Sequence, residues 1–199
     1  MDSEKKFWQW FIQHQQELLD FESNSEELFD RLSAELQKVD PDLTFEFGPK
    51  LARRELAISA GGMRRAFPAV ISLVESAPAL DQWSITAFRP RRAIPNIVEF
   101  RGKRINPIDV QFTLLVNGAT PGIYLFIPDY REGDVDLKQI GYLLLDDTLG
   151  EYDVETQLGG IRMLSPDAPT EGDRYPLMEL PALFDQLVNR LEGRSGKPS

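Results

Sequence analysis

The sequence predicts an α+β fold: a mainly antiparallel twisted sheet with a ββαβ nucleus, an N-terminal helical hairpin and a C-terminal helix. Three observations predict it. Several short runs alternate apolar and polar residues at the two-residue period of a strand. Longer runs near both ends, and one between strands, repeat apolar residues at helical spacing. Most strand candidates are joined by short turns, which favours antiparallel pairing.

Two amphipathic helices are predicted at the N-terminus. The apolar stripe of the first comprises Phe7, Trp8, Phe11, Leu18 and Leu19. A second stripe covers residues 28–39, and Ser25 followed by acidic residues is typical of a helix start. The polar face is mainly acidic, whereas helices on a membrane surface carry Lys and Arg there. Packing in a protein core is the favoured interpretation.

The ββαβ nucleus follows these helices. Alternation at residues 43–47 and 55–60 predicts a hairpin with one apolar face. The period becomes helical over 67–77, where Pro68 suits a first helical turn. Alternation returns at 83–87 and predicts the third strand. The helix is then the nearest layer that can cover the apolar face of the hairpin.

The second half is predicted to extend the sheet. Residues 97–102 form a short strand candidate, and the NGATPG turn joins two further strands at 110–116 and 123–127. The segments YDVETQ and IRML, at 152–157 and 161–164, are also predicted as strands. Together these runs favour one sheet with helices on one face.

Two helices are predicted in this half. Asp134 or Asp136 is expected to cap the first, which Gly150 ends. Apolar spacing predicts a terminal helix, with Gly193 beyond its end. The expected organisation is a single domain over residues 1–193 and a flexible tail at 194–199, without an internal repeat.

The chain of 199 residues contains no cysteine, which excludes disulfides, thiol catalysis and cysteine-rich zinc sites. Its N-terminus lacks the basic start and uninterrupted apolar run of a secretory signal. No apolar stretch approaches the roughly 18 residues that a membrane helix needs. We therefore expect a cytoplasmic protein without a membrane span.

Charge is strongly segregated along the chain. Residues 1–49 carry a net charge of −8, residues 50–104 carry +7, and residues 105–199 carry −9. The total of −10 argues against a nucleic-acid partner, since acidic flanks repel a polyanion. A basic middle between acidic flanks points to a protein partner or a small anionic ligand.

The candidate anion- or partner-binding residues come from the basic block. They are Arg64, Arg65, Arg89, Arg91, Arg92, Arg101, Lys103 and Arg104. Arg64 and Arg65 precede a predicted helix, whose first N–H groups attract anions, and guanidinium groups suit carboxylate or phosphate. The alternative interpretation is that these residues pair with the acidic flanks of the chain or are solvated, as surface arginines commonly are.

A second candidate site is acidic and comprises Asp147, Glu151, Asp153 and Glu155. If residues 152–157 form a strand, Asp153 and Glu155 share a face that suits a hard cation or acid–base chemistry. A solvated sheet face is the competing interpretation. The only histidine, His14, has no nucleophile motif near it, and no metal or cofactor is assigned.

The runs FEFGP, RRELAISAGG, AFPAV, WSITAFRPRR and LGEYDVE resemble small bacterial proteins of a domain-of-unknown-function family. The resemblance covers most of the chain and implies a free-standing bacterial cytosolic domain, without a reaction or catalytic residues.

The leading hypothesis is a noncatalytic binding or interaction domain, whose Arg-rich region contacts an acidic protein surface or a small anionic ligand. One alternative is a metal-assisted hydrolase that uses the acidic cluster. The other is an immunity-type protein that masks a basic toxin through its acidic flanks. The oligomeric state stays open.

Overall fold

The computed structural model describes residues 2–21, 25–118 and 120–195. The chain divides into two compact units, unit 1 (Met1–Pro90) and unit 2 (Arg91–Ser199). Each unit has its own cluster of buried apolar side chains. The expectation of one domain over residues 1–193 stays a prediction, because two compact units can belong to one cooperatively folding domain.

Unit 1 begins with the predicted helical hairpin, α1 (Ser3–Leu19) and α2 (Ser25–Gln37). The apolar stripe of α1 is buried along its whole length. The ring of Phe11 lies edge-on to Trp83, with 5.0 Å between ring centroids. The indole N–H of Trp8 donates to the carbonyl of Leu73 at 2.9 Å. These contacts confirm that the aromatic stripe packs in a core.

The predicted ββαβ nucleus follows in unit 1. Its elements are β1 (Thr44–Lys50), β2 (Arg54–Ser59), α3 (Phe67–Glu75) and β3 (Trp83–Ala87). The strand order is β1-β2-β3, in which β1 and β2 are antiparallel and β3 is parallel to β2. The parallel pair arises because α3 returns the chain to the end of the sheet from which β2 started.

The described residues of unit 2 form two sheets. The first is the short hairpin of β4 (Val98–Phe100) and β5 (Lys103–Ile105). The second is formed by β6 (Gln111–Asn117), β7 (Thr120–Phe126), β8 (Gly160–Leu164) and β9 (Tyr175–Pro176). Its order is β8-β7-β6-β9, with β7 and β8 parallel and the other pairs antiparallel. Strand pairing across the described residues is thus mainly antiparallel, as predicted, but it is divided among three sheets.

The helices of unit 2 are α4 (Val135–Leu149), α5 (Glu151–Gln157) and α6 (Leu180–Ser195). The prediction of a strand at 152–157 is wrong, because these residues belong to α5. Acidic residues in its first turn favour a helix, and Val154 and Leu158 are buried four residues apart. Gly150, with a φ of 86°, separates α5 from α4.

The C-terminal helix is confirmed and is longer than expected. It continues through Ser195, past Gly193, which was expected to lie beyond its end. Residues 196–199 of the expected tail lie outside the described residues. Among the helices that the structure describes, none has the length and apolar character that crossing a membrane requires.

The two units share one arrangement of elements. Each has an antiparallel hairpin, then a helical connection, then a strand parallel to the second strand of the hairpin. Unit 2 uses two helices in that connection and adds β9 beside β6. The ββαβ nucleus predicted once from the sequence therefore occurs twice, without a recognisable sequence repeat.

Candidate functional site

Two predicted binding arginines of unit 1, Arg65 and Arg89, are engaged by acidic groups of the same unit. Arg65 donates two hydrogen bonds to Asp42, and one of them measures 2.9 Å. These bonds hold the pKa of the Asp42 carboxyl below its ordinary value. Arg89 lies 3.2 Å from a carboxylate oxygen of Glu46. Arg64 also has an interaction within the protein.

Arg91 has the most extensive contacts of the predicted residues in unit 2. Its two terminal nitrogens donate to the two carboxylate oxygens of Asp185 at 2.9 and 3.1 Å. One of them also lies 3.4 Å from Asp153, and the Nε atom donates to the Leu149 carbonyl. The hydrogen bonds to Asp185 are the main reason that the pKa of Arg91 is raised. This arginine ties the start of unit 2 to α4, α5 and α6.

Three of the other predicted residues of unit 2 are also paired with acidic side chains. Lys103 binds Asp134 at 2.6 Å, Arg101 lies 3.5 Å from Asp136, and Arg104 lies 3.2 Å from Glu99. Arg92 has an interaction within the protein, and its backbone N–H donates to the carbonyl of Asp147 at 2.7 Å. For Arg101, Lys103 and Arg104 the alternative interpretation of the sequence therefore holds, because acidic side chains of the chain itself pair with them.

The acidic candidates do not form a metal site in the part of the chain that the structure describes. Asp147 accepts two hydrogen bonds from Asn96, at 2.9 and 3.1 Å. Asp153 accepts from Arg91 and Gln157. Glu151 is fully buried, and both it and Glu155 have interactions within the protein. No group of three or more His, Cys, Asp or Glu side chains among the described residues is arranged to hold a metal ion.

Two features of unit 1 carry little charge. A shallow cleft of about 450 Å³ lies between α1 and the segment before β3, and glutamines form much of its lining. His14 stacks on Trp10 with 4.5 Å between ring centroids, and its Nδ1 lies 2.8 Å from the Trp10 carbonyl oxygen. His14 is thus a half-buried residue of α1.

A cleft beside β8 has the clearest binding character. Its volume is about 550 Å³, within the range of ligand sites, roughly 300–1,000 Å³. Three exposed cationic residues line it: Arg131, Lys138 and Arg162. No ion pair joins any of the three to another described residue. Glu132 is the acidic residue among the lining side chains.

Three elements bring these cations together. Arg131 lies in the turn after β7, where Asp129 adopts a left-handed φ of 59°, a conformation that aspartate tolerates better than most residues. Lys138 is in the first turns of α4, whose start is fixed by the Asp134 side chain, which accepts a hydrogen bond from the Leu137 N–H at 3.0 Å. Arg162 is in β8, with its guanidinium 5.5 Å from the centroid of the Tyr124 ring.

Gly141 of α4 packs against side chains of the sheet beside the cleft. A Cβ atom at that position would lie 2.7 Å from Cε of Met163 and 2.9 Å from Cδ1 of Ile127. A side chain there would require the ends of the Met163 and Ile127 side chains to move. The glycine therefore leaves room for these two side chains between α4 and the sheet.

The cleft cations were missed because they are scattered through the acidic C-terminal block. They are three of its seven Lys and Arg residues. One feature of the sequence could have indicated the site: Arg131 follows the second strand of a hairpin, and Arg162 lies in the next strand. A helical connection would bring those two positions to one region of a sheet. Comparison with protein-family models, curated proteins and solved structures finds no match.

Proposed function

We propose that the protein is a noncatalytic binding protein whose unit 2 cleft holds an acidic group of a partner protein or a small anionic ligand. The observation that supports this most directly is the contrast between two sets of cations. Six of the eight central cations have acidic partners inside the protein, whereas Arg131, Lys138 and Arg162 converge without an ion-pair partner among the described residues.

This contrast decides which cations are available to a ligand. An anion that binds at Arg91 has to replace Asp185, so one charged contact is exchanged for another. An anion in the cleft replaces only water around its cations. A ligand that is partly desolvated there gains charge-assisted hydrogen bonds from Arg131 and Arg162, which are about twice as strong as neutral ones. Binding free energy therefore favours the cleft.

The same reasoning separates this proposal from the alternatives. The metal-assisted hydrolase needs converging carboxylates, and those of Asp147 and Asp153 already accept hydrogen bonds within unit 2. The immunity-type protein would have to meet a basic toxin through acidic flank residues other than Asp42, Asp134 and Asp185, which are occupied by cations of the chain.

A matched pair of triple variants tests the proposal. The probe is a fluorescein-labelled hexaglutamate peptide, and its binding is followed by fluorescence anisotropy at low and at physiological salt. Arg131→Gln, Lys138→Gln and Arg162→Gln together are expected to raise the Kd at least about tenfold, the equivalent of roughly 1.4 kcal/mol. Added salt is expected to weaken binding to the parent protein.

The control variant combines Arg65→Gln, Arg101→Gln and Arg104→Gln, which changes the net charge by the same amount. It is expected to bind the peptide within about twofold of the parent, an effect of less than roughly 0.5 kcal/mol. Equal losses in both variants would mean that overall charge, not the cleft, attracts the probe. Absence of measurable binding to the parent would also contradict the proposal.

A further inference from the structure

The backbone of β8 offers hydrogen-bonding groups to the cleft. Ile127 donates its N–H to the carbonyl of Leu164 at 3.0 Å, so the N–H and C=O groups of Leu164 point towards β7. Because these groups alternate in direction along a strand, those of Ile161 and Met163 point away from β7. No strand among the described residues pairs with that side of β8, and no backbone bond to another segment uses these groups.

The lining of the cleft shows that it meets this open edge. Four consecutive residues of β8, 161–164, line it. Successive side chains of a strand point to opposite faces of the sheet, so a pocket on one face would contact only alternate residues. A cleft that contacts all four lies along the edge of the strand, where the unpaired backbone groups are.

The side chains around this edge differ between the two faces of the sheet. Met163 points towards α4, as its proximity to Gly141 shows, and Ile161 shares that face. Arg162 points to the opposite face, beside Tyr124. Lys138 stands on the α4 side of the cleft. An occupant beside β8 thus meets apolar groups on one face and cations on both sides.

We propose that the occupant is an extended acidic segment of a partner protein, which adds to the sheet as a strand beside β8. This inference rests on the proposed function of the cleft and names the class of partner. Hydrogen bonds to Ile161 and Met163 hold the backbone of the segment, and Arg131, Lys138 and Arg162 bind its carboxylates. In strand addition generally, the main chain supplies affinity and the side-chain pockets supply specificity.

Charge complementarity selects this occupant over a second copy of the chain. The sequence of β8 is GIRML, which has one cation and no acidic residue. Two copies paired edge to edge through β8 would bring cationic side chains together, and like charges on neighbouring strands destabilise pairing. A small anion would bind the cations but would leave the backbone groups of Ile161 and Met163 without a strand partner.

The test uses a short peptide that alternates glutamate and valine, together with two N-methylated forms of the same net charge. One form carries methyl groups on the valine amides and the other on the glutamate amides. In an extended peptide these two sets of N–H groups lie on opposite edges, and only one edge faces β8. We expect one methylated form to bind at least about tenfold more weakly than the parent peptide, and the other to bind within about twofold.

Two further measurements accompany it. Ile161→Pro removes an N–H group that points away from β7 and leaves the hydrogen bonds to β7 in place. It is therefore expected to weaken binding of the unmethylated peptide by about as much as the disruptive methylation does. Hydrogen exchange of the unsubstituted protein is expected to slow at the Ile161 and Met163 amides when the peptide is bound, which requires no folded variant.

The outcomes distinguish this inference from the proposed function. Suppose that both methylated peptides bind as tightly as the unmethylated peptide, and that the cleft triple variant binds none of the three peptides. Strand addition is then wrong, and the proposal that the cationic cleft binds acidic groups stands. If exchange at Ile161 and Met163 is unchanged in the complex, strand addition is wrong as well. If no acidic peptide binds the cleft, both proposals fail.

Discussion

At the scale of single residues, the arginines of this chain differ mainly in what surrounds them. Arg91 donates to both oxygens of Asp185, to Asp153 and to a backbone carbonyl, and about a third of its side chain is exposed. Arg104 has one contact, with Glu99, and both side chains are 64% exposed. A two-point hydrogen bond holds its geometry better than a single solvated pair, so the two arginines should contribute unequally to stability.

The first prediction compares Arg91→Gln with Arg104→Gln, which remove the same charge from the same unit. Arg91→Gln is expected to lower the free energy of unfolding by about 1–2 kcal/mol, because it removes the two-point hydrogen bond to Asp185, the contact with Asp153 and the bond to the Leu149 carbonyl. Arg104→Gln is expected to change it by less than about 0.5 kcal/mol. Urea denaturation measures both. Equal effects would show that Arg91 is no more than a surface charge.

The sequence predicts which residues carry charge but not which of them remain available to a ligand. Arg91 and Asp185 are 94 positions apart, and no local pattern links them. Pairing of this kind depends on how helices and strands come together, which a charge count along the chain does not contain. The same limit explains why the sequence predicts a binding site in the basic block and not at Arg131, Lys138 and Arg162. These three residues are far apart in the sequence and come together only in the fold.

At the scale of elements, the start of α4 joins local sequence chemistry to the cleft. Asp134 was predicted as one of two capping residues, and its carboxylate accepts from the Leu137 N–H at 3.0 Å. That hydrogen bond is the largest cause of the lowered pKa of the Asp134 carboxyl, and the hydrogen bond from Lys103 is the second largest. The charged cap fixes the first turn of the helix that carries Lys138.

The second prediction concerns the pH dependence of this cap. A carboxyl whose pKa is lower in the folded protein stabilises it fully above the unfolded value of about 4, and this contribution is lost as pH falls through the folded pKa. Asp134→Asn retains an oxygen for the Leu137 N–H but not the charge. The variant is therefore expected to be less stable than the parent at neutral pH, and the difference is expected to shrink below about pH 4.

Urea denaturation of both proteins across the acidic range measures this difference. Asp109→Asn is a suitable control, because Asp109 is an exposed acid in a short 3-10 turn of the same unit. Its stability difference from the parent is expected to stay small throughout. A difference for Asp134→Asn that does not change with pH would contradict the electrostatic role of the cap.

Most elements could be predicted because their signals are local. Apolar period, capping residues and turns identified the helical hairpin, the ββαβ nucleus, the second hairpin and the terminal helix. The segment 152–157 failed because its few apolar residues fit both periods. Its classification was decided by Gly150, which starts a second helix directly after α4, and by burial of Val154 and Leu158. Burial is a tertiary effect that overrides a short local pattern.

At the scale of the whole molecule, the same ββαβ arrangement organises both units while their sequences differ. A two-layer packing of one helix layer on a small sheet is a common solution for burying an apolar sheet face, and many sequences satisfy it. The strand order could not be read from the sequence, since hydrophobic period gives the type of an element but not its neighbours. Each unit encloses its own apolar cluster, which is one property of an independently folding domain.

The aromatic residues provide separate probes of the two units. All three tryptophans, Trp8, Trp10 and Trp83, belong to unit 1, and all five tyrosines belong to unit 2. Tryptophan fluorescence therefore follows unit 1, and the fluorine NMR signals of incorporated fluorotyrosine follow unit 2. Buried Leu36 in unit 1 and Phe184 in unit 2 are the positions to truncate, because each is fully or almost fully enclosed in its own cluster.

The third prediction is that each truncation acts on its own unit. Leu36→Ala is expected to lower the free energy of unfolding measured by tryptophan fluorescence by about 2–5 kcal/mol. Phe184→Ala is expected to lower the free energy of unfolding measured by fluorotyrosine NMR by about 3–5 kcal/mol. Because the apolar clusters are separate, the other probe should keep its denaturation midpoint in each case. Coincident shifts of both probes would instead establish one cooperative domain, as the sequence predicts. In that case a ligand in the unit 2 cleft would also stabilise unit 1, since binding to the native state raises the stability of everything that unfolds with it.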